Sequence, residues 1–113
     1  MSKQQVVYTS PEILLPVSSK NASFSSDKFP VNNNPNIQIE MHTISASNLS
    51  CSAAIQGSLD GASWLTLDNT SATIVGNDDL LWTLSQIESL MYLRLIVTLT
   101  SGSALFNILY RGC

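Results

Sequence analysis

Charge is scarce in this chain. Its 113 residues hold 5 Lys+Arg and 8 Asp+Glu, 12% in all, about half the quarter usual for a soluble domain. The net charge of −3 rests on basic residues scattered singly, which leaves no electrostatic footprint for a phosphate backbone or an anionic lipid surface. Histidine occurs once, at His42, and the two cysteines, Cys51 and Cys113, stand 62 positions apart. Neither a His-rich metal site nor a zinc-ligand framework fits that inventory. Long apolar runs are missing too: Leu90-Met91-Tyr92-Leu93 and Leu95-Ile96-Val97 fall far short of a membrane span. Met1–Tyr8 has no apolar core of signal-peptide length, so no secretion signal is expected. No glycine-rich phosphate loop is present. The expectation is therefore a chain without metal, cofactor, nucleic-acid or membrane partners.

Ser, Thr and Asn fill the space that charge leaves, 35 residues together. Hydrophobic residues at 44% supply a core, and this length suits one domain over residues 1–113. Period 2 dominates the pattern. Ile37, Ile39, Met41 and Thr43 alternate with Gln38, Glu40 and His42, as a half-buried strand with one wet face requires. Cys51, Ala53 and Ile55 share a face further on, so Cys51 reads as a buried free thiol; a disulfide to Cys113 would need an oxidising compartment. The small polar stretch 45–50 suits a turn, which makes 37–43 and 52–58 a hairpin. Trp64–Leu67 and Ala72–Val75 form another pair around the turn 68–71. Tyr92–Thr100 and Ala104–Arg111 form a third around Ser101-Gly102, apolar on both faces and so either central or covered by a partner. Residues 78–88 allow a helix capped by Asn77 or Asp78, but a strand over Leu80–Leu84 is favoured. Ile13–Val17 and Val6–Thr9 read as short strands kept to edges by Pro11 and Pro16, and 18–36 reads as loop. Seven to nine short strands at this spacing argue for an all-β fold, an antiparallel β-sandwich or jelly roll.

Chemistry-bearing constellations are sparse. His42 lies on a polar strand face beside Glu40, with no nucleophile fixed near it by sequence. Glu40, Asp60, Asp68, Asp78, Asp79 and Glu88 offer no favoured carboxylate pair. The chain is expected not to be an enzyme. The sharpest local signal is Gln56-Gly57-Ser58-Leu59-Asp60-Gly61-Ala62-Ser63-Trp64, a turn built on Asp60-Gly61 with Trp64 opening the return strand. Ser58, Asp60 and Trp64 read first as a hairpin clasp and second as a small sugar- or calcium-contact loop. The Asp-box of sialidases does not fit, because Gly61 follows Asp60 directly.

The same segment, with Tyr92–Gly102 as an aromatic–x–Arg strand leading into a Thr-rich, Gly-containing turn, resembles small β-sandwich structural proteins of tailed bacteriophages. The similar stretches are 37–67 and 91–111. The resemblance implies a virion component assembled in the host cytoplasm: a capsid decoration (cement) protein, or a neck or tail accessory protein. It implies homo-oligomers and other capsid or tail proteins as partners, with residues 1–16 as an extended arm. It carries no catalytic residues. The alternative is a carbohydrate-binding or adhesin module, in which Tyr92, Tyr110 or Trp82 would form an exposed stacking platform.

Overall fold

A computed structural model describes residues 11–87 and 89–112. Alternation becomes strand almost throughout, and no helix occurs among the described residues. The elements are β1 (Glu12–Lys20), β2 (Phe24–Ser25), β3 (Phe29–Pro30), β4 (Asn36–Ser58), β5 (Leu65–Thr66), β6 (Ala72–Val75), β7 (Asp79–Ser85) and β8 (Tyr92–Gly112). Every pairing between them is antiparallel. The chain is all-β, as its alternation requires.

Two long strands set the architecture. β4 has 23 residues and β8 has 21, and they pair from Ile37–Gly112 to Ser58–Tyr92. A straight strand of such length would span about 70 Å, yet the molecule's longest extent is 52 Å. The ribbon bends where its register shifts, between Ile44 and Cys51 of β4. Ser45 and Asn48 there take φ of 53° and 51°, and Gly102 on the facing strand takes 78°. The bend folds the ribbon over itself into a sandwich. One layer runs β1, the C-terminal half of β8, the N-terminal half of β4, then β7. The other runs β2 and β3, the N-terminal half of β8, the C-terminal half of β4, then β6 and β5.

Aromatic contacts tie the layers together. Phe24, opposite Val97 in one layer, meets Phe106 of the other edge-on at 5.1 Å. Phe29 stacks on Tyr110 at 4.0 Å. Trp82 of β7 donates its indole N–H to the Thr70 carbonyl at 2.7 Å. Between the layers lie Ile37, Ile39, Met41, Phe106 and Ile108 from one side and Cys51, Ala53, Ile55, Leu93, Leu95 and Val97 from the other. Cys51 is a buried free thiol, as its face predicted, and burial pushes its pKa up.

The expected hairpins need correction. Residues 45–50 and 101–103 are not turns between neighbouring strands; they are the two sides of one corner, because each half of β4 pairs with β8 and not with its own continuation. Gly102 supplies the positive φ, but at a fold in a continuous strand. Likewise β5 and β6 do not pair with each other: both lie along β4, at Gln56–Gly57 and at Ser50–Ala53. Asn69 between them does adopt φ 62°. The stretch 18–36 is less loop-like than expected, since β1 extends to Lys20 and β2 and β3 pair with β8. The strand reading of 80–84 holds, as does the central place of β8. Val6–Thr9, most of the 1–16 arm and Cys113 lie outside the described residues.

Candidate functional site

The segment singled out by sequence forms a built turn at one end of the sandwich. β4 ends at Ser58 and returns through β5, with Gly57 opposite Leu65 and Gln56 opposite Thr66. The Ser58 hydroxyl accepts hydrogen bonds from Gly61 N–H (2.8 Å) and Asp60 N–H (3.3 Å) and donates to Asp60 Oδ1 at 3.1 Å. The same Oδ1 accepts from Ala62 N–H and Ser63 N–H at 2.8 and 2.9 Å. Those backbone donors, Ser63 first and Ala62 next, hold the Asp60 carboxyl below its ordinary range, because hydrogen bonds to the charged form favour it. Gly61 takes φ 78°, and a Cβ there would stand 2.7 Å from Lys28 Nζ. The Ser58 hydroxyl and Asp60 Oδ1 together close the loop.

Trp64 does something else. Its ring is half-buried and carries the Arg94 guanidinium 4.3 Å from its centre, an attraction between a cation and the negative face of the indole. Arg94 Nε donates to Gln56 Oε1 at 2.8 Å, and Gln56 Nε2 donates to Thr66 Oγ1 at 3.4 Å. A second pair lies close by, with Lys28 Nζ 5.0 Å from the Tyr92 ring centre. Below the turn a groove of about 670 Å³ opens, lined chiefly by Gly57, Leu59, Trp64, Leu65, Leu67 and Leu90. Gly57 admits Leu90, whose Cδ1 would lie 2.8 Å from any Cβ there. Leu59 and Leu65, which line it, are 68% and 77% exposed, so the groove opens to solvent between apolar side chains.

Structure thus brings Ser58, Asp60 and Trp64 together but divides their work. It also adds Gln56, Lys28, Leu90 and Arg94, which sequence reasoning missed. Arg94 faces Gln56 only through the β4–β8 register, which the hairpin reading hid. The aromatic platform is corrected. Trp82 is 8% exposed, since its parity on β7 points inward, and it is Trp82 whose indole N–H finds a buried acceptor. Tyr110 is half-buried beneath Phe29, its hydroxyl donating to Glu12 Oε2 at 2.6 Å. Burial, with that carboxylate, pushes its pKa up to about 12. Only Tyr92 lies beside the Trp64 turn.

The outer face of the β1–β8–β4–β7 layer forms a second feature. His42 Nδ1 stands 2.8 Å from Asp79 Oδ1, and Nε2 stands 3.3 Å from Glu40 Oε2. The Asp79 hydrogen bond, more than its partial burial opposes it, raises the pKa of His42. Around this cluster the face carries Ile13, Leu109 and Leu81 in ladder with Glu40, and Leu105 opposite Ile44. Among the described residues, no group of three His, Cys, Asp or Glu side chains is placed to hold a metal ion.

No protein-family model and no curated protein matches the chain. Solved structures do match in fold. The SPBc2 prophage-derived protein YomS is similar with a TM-score of 0.61 at 10% identity, over 96% of this chain and 99% of that one. A chain of broad bean stain virus is similar with a TM-score of 0.51 at 10% identity, over 100% and 89%. A carbohydrate-binding module specific for non-crystalline cellulose aligns more distantly, at 0.42 and 8% identity over 85% and 72%. At these identities the likeness defines a fold: an antiparallel β-sandwich of the kind found in a prophage-derived protein and in a virus particle.

Proposed function

We propose that the chain is a non-enzymatic structural protein of a virion, a capsid decoration or tail accessory component that stabilises the particle through β-sandwich contacts. One observation carries the reading. The surface exposes large hydrophobic side chains that no described residue covers: Ile13 at 65%, Leu59 at 68%, Leu65 at 77%, Val75 at 76% and Leu81 at 57%. Such side chains are common singly, but here several share a sheet face or line one groove, in a chain of which only 12% is charged. Interface cores are depleted in charge in this way, and many symmetric copies turn a modest contact into durable association. The end-to-end fold likeness to a prophage-derived protein is in keeping with it. Mass spectrometry of purified particles, with copy number, tests the reading: hundreds of copies fit a capsid lattice, a dozen or fewer a neck or tail. Absence from particles, together with no binding to isolated capsids or tails, refutes it.

A carbohydrate-binding role is the second reading, favoured by Trp64 and Tyr92 beside the apolar groove. Glycan-array binding that Trp64→Ala abolishes, with the far-UV circular dichroism unchanged, would select it instead.

A further inference from the structure

Edge strands expose unpaired N–H and C=O groups, and folded proteins blunt them by shortness, proline, lysine or bulges. The edges of this sandwich differ sharply in that respect. β1 contains Pro16, ends in Lys20 and breaks register twice against β8. β2, β3 and β5 have two residues each, β3 including Pro30, and β6 has four. β7 has none of these devices. Its seven residues, Asp79-Leu80-Leu81-Trp82-Thr83-Leu84-Ser85, follow β4 in unbroken register. They include no proline and no lysine, and the one charge lies at the first position.

The polarity of the free edge follows from the ladder. Thr43 N–H donates to the Asp78 carbonyl at 2.9 Å, so the pairs that exchange hydrogen bonds with β4 continue at residues 80, 82 and 84. The backbone groups of Asp79, Leu81, Thr83 and Ser85 point away from β4. Among the described residues no main-chain group is bonded to them on that side; the one contact there is Asp79 N–H to Asp78 Oδ1.

We infer that the free edge of β7 is a self-association surface, pairing antiparallel with β7 of a second copy about a two-fold axis at Trp82. This choice of partner rests on self-complementarity. In that register Leu81 lies opposite Thr83 of the other copy, and Asp79 opposite its Ser85, so every outward backbone group meets an outward group. About eight main-chain hydrogen bonds form. Side-chain parity is preserved: half-buried Leu80 comes beside the second copy's Leu84 on the inner face, completing the burial that each lacks at the edge of the core. The charge of Asp79 meets Ser85 and not another carboxylate. Leu65 and Val75, exposed on β5 and β6, lie along the same side of the sandwich as β7, since all three strands pair with the β4 edge away from β8.

The inference deepens the assembly reading by naming a surface, and rests on that reading for its place in a particle. Its test uses the isolated full chain, so its failure and that of particle binding are separately visible. Light scattering after size exclusion, at 10 to about 200 µM, is expected to give a dimer for the wild type. Leu81→Lys, which places a charge on the exposed edge, and Thr83→Pro, which removes an outward N–H, are expected to give monomers that keep the wild-type circular dichroism. Amide exchange in the wild type is expected to protect Leu81 and Thr83 as strongly as Leu80 and Trp82. A monomer at the highest concentration overturns the inference. So does a dimer in which the Leu81 and Thr83 amides exchange fast, or one that survives Leu81→Lys.

Discussion

Gly76 and Gly102 have nearly the same backbone, φ 79° and 78°, in opposite surroundings. A Cβ on Gly76 would meet nothing within 4 Å, whereas one on Gly102 would run into the carbonyl group of Asn48 and the carbonyl oxygen of Ser47. Asparagine tolerates the left-handed region, so Gly76→Asn is expected to change stability by no more than about 0.5 kcal/mol. Gly102→Asn carries the same conformational ease but must push two backbone segments of the corner apart, at about 1–3 kcal/mol for overpacking. Backbone yields less readily than side chain, which favours the upper end. Gly102→Ala adds the left-handed penalty of about 1–2 kcal/mol. At about 4 °C of melting temperature per kcal/mol for this length, Gly102→Asn should melt about 4–12 °C below the wild type and Gly76→Asn within about 2 °C of it. Calorimetry or a circular-dichroism melt reads the difference. Were Ser101-Gly102 an ordinary two-residue hairpin turn, both Asn variants would behave alike. Equal melting temperatures would refute the folded-ribbon account of this corner.

Trp82→Phe keeps most of the ring but strips the buried Thr70 carbonyl of its donor, and is expected to cost about 1–3 kcal/mol in denaturant unfolding. His42 has a folded pKa above its ordinary 6.5, chiefly through the Asp79 hydrogen bond. Its contribution to stability is therefore full below about pH 6.5 and is lost as pH rises through the folded value. NMR titration should show the raised pKa, and Asp79→Asn should lower it and flatten the melting temperature between pH 6 and 8. In a Cys113→Ser background, the buried thiol of Cys51 should react with a thiol reagent only at the rate of unfolding; prompt reaction in the folded state would contradict its burial.

Alternation carried most of the fold. Ile37, Ile39 and Met41, then Cys51, Ala53 and Ile55, and then Leu93, Leu95 and Val97 all lie buried on the faces that parity assigned them. What parity cannot carry is the identity of the neighbour. Ser45–Ser50 and Ser101–Ser103 have the small, polar residues of turns, and a strand crossing from one sheet to another needs the same residues: permissive backbone, little bulk and polar groups that can face water. Trp64 and Trp82 illustrate the same limit at the candidate site. Both stand in alternating segments, and only the pairing of β7 with the N-terminal half of β4 sends Trp82 inward, leaving Trp64 beside Arg94 at the surface.

The corner itself contains the clue that separates one bent ribbon from two hairpins. Between the inward pairs Thr43–Phe106 and Cys51–Leu99, eight residue steps on β4 oppose seven on β8. The net excess of one residue arises from three register shifts across the corner, irregularities of the kind that bend and twist a strand pair. It also changes parity on β8 alone, from odd inward residues at Leu93, Leu95 and Val97 to even ones at Ala104, Phe106 and Ile108, while β4 stays odd from Ile37 to Ile55. Independent hairpins would set the parity of each arm separately, with no reason for the four segments to match in pairs. A ribbon folded over a shared core must present both halves inward, and a net offset of one residue between the two strands meets that demand. The same geometry leaves the outer faces and the β7 edge uncovered by any described residue, and those are the surfaces on which assembly would draw.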